Sequence, residues 1–165
     1  MKKFILSALL LLVGFVHSYT FAQKNYNTGL GLRFGYVYGV TLKHFINDKW
    51  AIEGILSTRG WGNGSGFNLA VLGEHHWALG PKGLALYAGF GGHLGYWSWK
   101  NGNRPNGYNN NQAFVLGVDG ILGLEYTLAA APFTFALDWK PEFDLIGGSR
   151  FWGDGVALSI RYAFK

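Results

Sequence analysis

The chain has no cysteine and only four prolines. Disulfide staples and thiolate metal sites are therefore excluded, and little interrupts extended backbone. Charge is scarce too: Asp, Glu, Lys and Arg supply 14% of the residues, against about 25% in an average soluble domain. Beyond the N-terminus there is no apolar run of the roughly 20 residues that a spanning helix needs. The formal net charge is +5, yet no basic block accompanies it, so a nucleic-acid partner is not expected. What is abundant is glycine, 26 of 165 residues, within a composition that is 49% hydrophobic and 18% aromatic. The hydrophobic content excludes a disordered chain. The glycine excludes a helical bundle, since each costs about 1 kcal/mol in a helix interior.

The first residues read as an address. Met1-Lys2-Lys3 is positively charged, Phe4 to Val16 is almost wholly apolar, and Ser18-Tyr19-Thr20-Phe21-Ala22 leads to a small residue. This is the three-part pattern of a secretory signal peptide, with cleavage expected after Ala22. Residues 1–22 are then the signal and residues 23–165 the mature domain. If the exported chain enters a membrane, it must do so as strands.

The remaining sequence alternates with period two. Val156 to Phe164 places large apolar groups at even positions and small or charged groups at odd ones. Leu30, Leu32, Phe34 and Tyr36 alternate with Gly29, Gly31, Arg33 and Gly35, and Phe133, Phe135, Leu137 and Trp139 alternate with Thr134, Ala136, Asp138 and Lys140. Eight strands are predicted, at about 28–36, 40–46, 49–58, 67–78, 84–97, 113–127, 133–143 and 155–164. A soluble barrel would turn the apolar face onto a cavity and leave a wet outer face rich in Lys, Glu and Ser. Here the second face is mostly Gly, Ala and Thr, too sparse in charge for a solvated exterior. The opposite arrangement fits: bulky groups meet lipid, and small ones fill the crowded interior of an eight-stranded, antiparallel, up-and-down transmembrane barrel. Closure also satisfies every backbone group inside lipid.

Connection lengths agree with this. Short turns at Asn47-Asp48, at 79–83 and at 129–132 alternate with longer polar segments near 59–66, 98–112 and 145–154, although the connection at 37–39 is short. Trp50, Trp77, Tyr126, Phe133 and Phe164 mark one end of the strands, and Tyr36, Phe67, Tyr96, Phe114 and Phe143 the other. They predict two interfacial girdles. Pro141 should mark a bulge or a strand end, because a closed barrel has no edge to absorb a missing donor.

Four segments carry a resemblance: Gly39–Leu56 (GVTLKHFINDKWAIEGIL), Val118–Tyr126 (VDGILGLEY), Leu137–Phe143 (LDWKPEF) and Ala157–Phe164 (ALSIRYAF). The chain resembles small eight-stranded outer-membrane proteins, the group of outer-membrane protein X and the membrane domain of outer-membrane protein A, in a Bacteroidota-like form. The resemblance implies the outer membrane of a Gram-negative bacterium, contact with its lipid and lipopolysaccharide, and a monomer. It also implies a C-terminal aromatic, here Phe164, read by the barrel assembly machinery. Lys165 follows it, a departure from the family pattern.

The inward register carries Arg33, Lys43, Lys140 and Arg161 against Glu53, Glu74, Asp119, Glu125 and Asp138. A turn near 47–48 places Lys43 close to Glu53, and a loop centred near 149–150 places Asp138 opposite Arg161. These groups predict a salt-bridged plug, since a buried charge without a partner is costly; a narrow gated path for ions is the alternative. No metal site and no cofactor are expected. His75 and His76 point to opposite faces, while His76 and His93 lie on the order of 17 Å apart along the wall.

No catalytic residue is assigned. Lipid A deacylases of this architecture carry His-x-Ser on one strand face, and the mature chain has no such triplet. A transferase built from separate loops, using serines such as Ser57, Ser98 or Ser149, is the enzymatic alternative. The outer segments supply Arg59, Trp61, Arg104, Tyr108, Arg150 and Trp152, a candidate rim facing glycan or lipopolysaccharide, where arginine pairs well with phosphate.

Overall fold

Inward and outward side chains alternate all along the walls of the computed structural model, which describes residues 26–61, 64–80, 82–99, 112–147, 150–153 and 155–164. The expected signal peptide, residues 1–22, lies outside them. The elements are β1 (Thr28–Gly35), β2 (Tyr38–Phe45), β3 (Trp50–Trp61), β4 (Gly64–Ala78), β5 (Leu84–Trp99), β6 (Gln112–Thr127), β7 (Phe133–Trp139), β8 (Glu142–Ile146), β9 (Arg150–Trp152) and β10 (Val156–Phe164). All pairings are antiparallel, β1 pairs with both β2 and β10, and β5 pairs with β6. The sheet therefore closes on itself.

Ten segments make eight strands because two strands are interrupted. β7 and β8 are one strand broken at Lys140–Pro141, and the register with β6 is the same on both sides of the break, Trp139 opposite Leu122 and Glu142 opposite Asp119, before it shifts by one residue at Leu116–Gly117. Proline supplies no donor, so the wall is stitched around it: Lys140 N donates to Gly155 O, and Gly120 N donates to Pro141 O, both at 3.0 Å. On the partner strand, β9 and β10 are separated by a one-residue slip at 153–155. Gly155 is required there, because a Cβ would lie 2.1 Å from Lys140 O. The predicted eight-stranded barrel is thus the observed fold, with Pro141 as its irregularity.

The end carrying the short turns and both ends of the barrel sequence is called inner here, and the opposite end outer. At an inner turn, Asn47 Oδ1 accepts from Lys49 N and Trp50 N, each at 2.9 Å. The wall is uneven. β1 and β2 have eight residues each, whereas β4, β5 and β6 have 15 or 16. The outer rim consequently dips at Tyr36–Val37, the short connection noted in the sequence.

Most of the large apolar residues face outward. Leu30, Leu56, Leu69, Val118, Leu122 and Leu137 are exposed, as are all ten girdle aromatics named above. Alanine, threonine, glycine and charged groups face inward. An apolar exterior around a polar interior is the arrangement of a barrel solvated by lipid, the reverse of a soluble protein.

Leu122, 49% exposed in the middle of β6, tests the orientation. Leu122→Arg should lower stability by about 2–4 kcal/mol in urea unfolding of the lipid-reconstituted barrel. A water-facing position would tolerate arginine without loss.

Candidate functional site

The sheet turns one set of polar side chains into a space too narrow for water to solvate them, so each must find its partners across the barrel. Near the inner end, Lys43 on β2 is fully buried and lies 2.7 Å from Glu74, 3.1 Å from Glu53 and 3.4 Å from Glu125. Lys43 and Glu53 are direct cross-strand partners, whereas Glu125 comes from β6 on another part of the wall. Arg161 on β10 completes the group. It donates to Glu53, to Glu125 at 3.2 Å and to Thr41 Oγ1 at 3.2 Å. Tyr26 donates to Glu125 at 2.9 Å, and a His76 ring nitrogen lies 3.1 Å from Glu74.

The middle of the barrel holds a second group. Arg33 forms a two-pronged pair with Asp138, one prong at 2.7 Å, and Tyr87 donates to the same carboxylate at 2.9 Å. Gly123, opposite Tyr87, makes room for its ring; a Cβ there would come within 2.7 Å of it. Lys43 Nζ lies 4.0 Å from the centre of that ring, which links the two groups by a cation–π contact.

A third group lies toward the outer end. His93 is held between Asp119 at 2.6 Å and Asp144 at 3.0 Å. Lys140 pairs with Glu142 at 2.7 Å and with Asp119 at 3.4 Å. Asn68 donates to Glu142 at 3.3 Å, and Trp152 donates to Asp144 at 3.0 Å.

Apolar packing separates and caps these groups. Tyr26, Phe45, Ala51 and Ala163 close the inner end, Ile55, Leu72, Ile121 and neighbours pack in the middle, and Trp97 packs on Val115 at the outer end. Two cavities of about 10 Å³ each lie toward the outer end, sharing Val37, Ser57 and Glu142. Each is about the volume of one water-sized sphere.

All nine charged residues placed inward by the sequence reading are buried: Arg33, Lys43, Glu53, Glu74, Asp119, Glu125, Asp138, Lys140 and Arg161. One predicted pairing is wrong. Asp138 faces Ala157 and Arg161 faces Thr134, so the two are not opposite one another. The turn lies closer to residue 147 than to 149–150, and Asp138 instead reaches across to Arg33. Trp152, expected on the outer rim, is 8% exposed. It pairs with inward-facing Glu142, and an antiparallel partner shares its face.

Glu142 and Asp144 were missed. The parity that turns Asp138 and Lys140 inward continues through both: Glu142 lies inside the predicted strand 133–143 and Asp144 directly after it, so the alternation already pointed to them. The side chains of Arg59, Trp61, Arg104, Tyr108 and Arg150 fall outside the described residues, as does Ser149. Ser57 is buried, and its hydroxyl donates to Asn68 O at 3.4 Å. Phe164 is exposed at the inner end, its ring edge-on to Tyr162.

The histidines are arranged as their spacing suggested. His75 and His76 lie on opposite faces; His75 packs against Trp50 and Trp77, and His76 against Tyr87. Tyr87 faces His76 while Ala70 faces His93, which separates the two inward rings by six residues of wall. The outer group nevertheless brings His93, Asp119 and Glu142 together, with ligand atoms within 4.8 Å of one another. Sequence spacing gave no sign of this, because the three come from β5, β6 and β8.

No protein-family model and no curated protein sequence matches the chain. Solved structures do match its fold. The N-terminal β-barrel domain of Pseudomonas aeruginosa OprF aligns over 83% of this chain and 95% of its own, with a TM-score of 0.60 and 15% identity. Neisserial surface protein A aligns over 83% of this chain and 93% of its own, with a TM-score of 0.55 and 10% identity. At such identities the likeness concerns architecture alone.

Removing one member of the inner group should expose its energetics. Lys43→Met leaves Glu53 and Glu125 to Arg161 and Glu74 to the His76 ring, and should cost about 3–5 kcal/mol in urea unfolding followed by tryptophan fluorescence in micelles. Adding Glu74→Gln to that variant should recover part of the loss. Failure to recover any would show that packing around the lysine stem, and not its charge, is what matters.

Proposed function

We propose that the chain is an integral outer-membrane protein of a Gram-negative bacterium, exported by its N-terminal signal and acting as a closed scaffold that presents its outer segments to surface partners. The observation that carries this reading is the filled interior: three charged groups, each paired across the barrel, with apolar layers capping and separating them. Packing of this kind among the described residues supports a lumen closed to sustained flow, as expected for eight strands. Ser57, the described serine nearest the outer cavities, points its hydroxyl at a backbone carbonyl and not at a histidine base. The reading therefore assigns no reaction and no cofactor.

On this proposal the work falls to the outer face. Arg59, Trp61, Arg104, Tyr108 and Arg150 offer guanidinium groups for lipopolysaccharide phosphates and aromatic faces for sugars. Phe164 would be read by the assembly machinery during insertion, and the inserted protein would be a monomer.

Two measurements separate this reading from its rivals. In planar bilayers the protein, Lys43→Ala and Arg161→Ala should all show no sustained conductance; steps appearing in the variants would favour a gated path. Mass spectrometry of lipid A should give identical acyl patterns with and without the protein, and an added or missing chain would favour a lipid-modifying enzyme. With both silent, capture of surface partners from intact outer membranes should depend on residues 100–111, and equal capture by a variant lacking them would overturn the scaffold reading.

A further inference from the structure

The inner group holds more acid than base. Among the described residues, Glu53, Glu74 and Glu125 share two basic side chains, Lys43 and Arg161, and all five are buried. The next charged pair along the barrel, Arg33 with Asp138, is balanced within itself. The inner group is therefore one positive charge short unless it takes up a proton. A net charge sealed inside a wall solvated by lipid is costly.

The carboxyl oxygens show where that proton belongs. Glu53 Oε1 accepts from Thr41 and Arg161, and Glu74 Oε2 lies 2.7 Å from Lys43 and 3.1 Å from His76 Nε2. The second oxygen of each side chain, Glu53 Oε2 and Glu74 Oε1, is buried without a hydrogen-bond partner, the former with only an ionic contact to Lys43 at 3.1 Å. In the ladder Glu53 faces Leu72 and Glu74 faces Ala51, so the two glutamates are diagonal neighbours on the inward side of β3 and β4. Both also reach the same ammonium. Ionised carboxylates only accept, so neither can satisfy the other. One proton between them turns one into a donor and pairs both stranded oxygens at once. A proton on the His76 ring would also balance the charge, but it would leave both of those oxygens unpaired.

We propose that Glu53 and Glu74 share one buried proton, which neutralises the inner group and makes its bracing of the barrel depend on pH. The groups facing the pair are Thr41 and Lys43 from β2, His76 on β4, Tyr87 from β5, Glu125 from β6, Arg161 from β10 and Tyr26 ahead of β1. The two tyrosine hydroxyls are engaged elsewhere, Tyr26 with Glu125 and Tyr87 with Asp138. In the unfolded chain both glutamates ionise at about pH 4.3. Above that pH the folded barrel carries one proton more than the unfolded chain, so its stability falls as pH rises, until the proton is lost.

Infrared spectra of the refolded mature protein in detergent test this directly. At neutral pH they should contain the carbonyl stretch of a protonated carboxyl, and Glu74→Gln should remove it. Urea unfolding gives a second readout, because an amide donates to Glu53 without taking up a proton. Relative to the native chain, the folding equilibrium constant of Glu74→Gln should grow about tenfold per pH unit from about pH 5 to about pH 7. His76→Gln should keep both the infrared band and the native pH dependence. No protonated-carboxyl band in the native protein overturns the proposal, whether or not the variants refold. A Glu74→Gln variant weaker than native at neutral pH, with no gain as pH rises, also overturns it, since that is the behaviour of an ionised Glu74 held by Lys43. Loss of the pH dependence in His76→Gln overturns it in favour of a proton on the ring.

Discussion

Lys43 has no contact with water and three carboxylates within 3.4 Å, and much of the interior follows from that predicament. Inside a narrow wall surrounded by lipid, an ion cannot fall back on solvent, so its charge must be met by neighbours. A single lysine cannot neutralise three acids, which brings in Arg161 from β10. Arg161 in turn donates its Nε–H to Thr41. Glu53 pairs with Lys43 within one hairpin, but Glu125 on β6 and Arg161 on β10 come from distant strands, so the full set of contacts forms only when the cylinder closes. The polar lumen thereby acts as a set of cross-braces whose members come from sequence-distant segments.

The wall is shaped to admit those braces. Bulky inward groups lie opposite glycine or alanine, as Tyr87 does over Gly123 and His93 over Gly117. The high glycine content thus reflects space inside the cylinder as much as backbone freedom. The outward face has no comparable demand for fit, because acyl chains conform to whatever surface meets them. Leucine, valine and phenylalanine suffice there.

Much of this was legible in the sequence, because a barrel wall is the one architecture in which parity alone assigns every side chain to a side. Period two identified the eight strands, the nine inward charges and both aromatic girdles. It also gave the Lys43–Glu53 pairing, since the short connection between Phe45 and Trp50 leaves little freedom in register. The Asp138–Arg161 error arose where that freedom was largest: the long connection after strand seven turns near residue 147 and not near 149–150, and the glycine slip on its far side shifts the register by one more residue in a way composition does not reveal. Trp152 was lost because residues 145–154 read as a loop, whereas Glu142 and Asp144 keep the parity of Asp138 and Lys140 and were passed over. Contacts across the lumen, such as Arg33 to Asp138 or Tyr26 to Glu125, depend on barrel curvature and side-chain reach and left no trace in spacing.

The unequal strand lengths have a mechanical consequence. Where the two ends of the barrel sequence meet, β1 zips to β10 only from Thr28–Phe164 to Gly35–Ala157, while β5 zips to β6 from Leu84–Tyr126 to Ser98–Gln112, nearly twice as far. Lipid cannot replace the backbone hydrogen bonds along a seam. β1 is thus among the most weakly stitched strands, held to β2 from Thr28–His44 to Arg33–Gly39 and to β10 from Thr28–Phe164 to Gly35–Ala157, and one of its two seams is the join between first and last strands, the last junction a linear chain can make when it rolls into a tube.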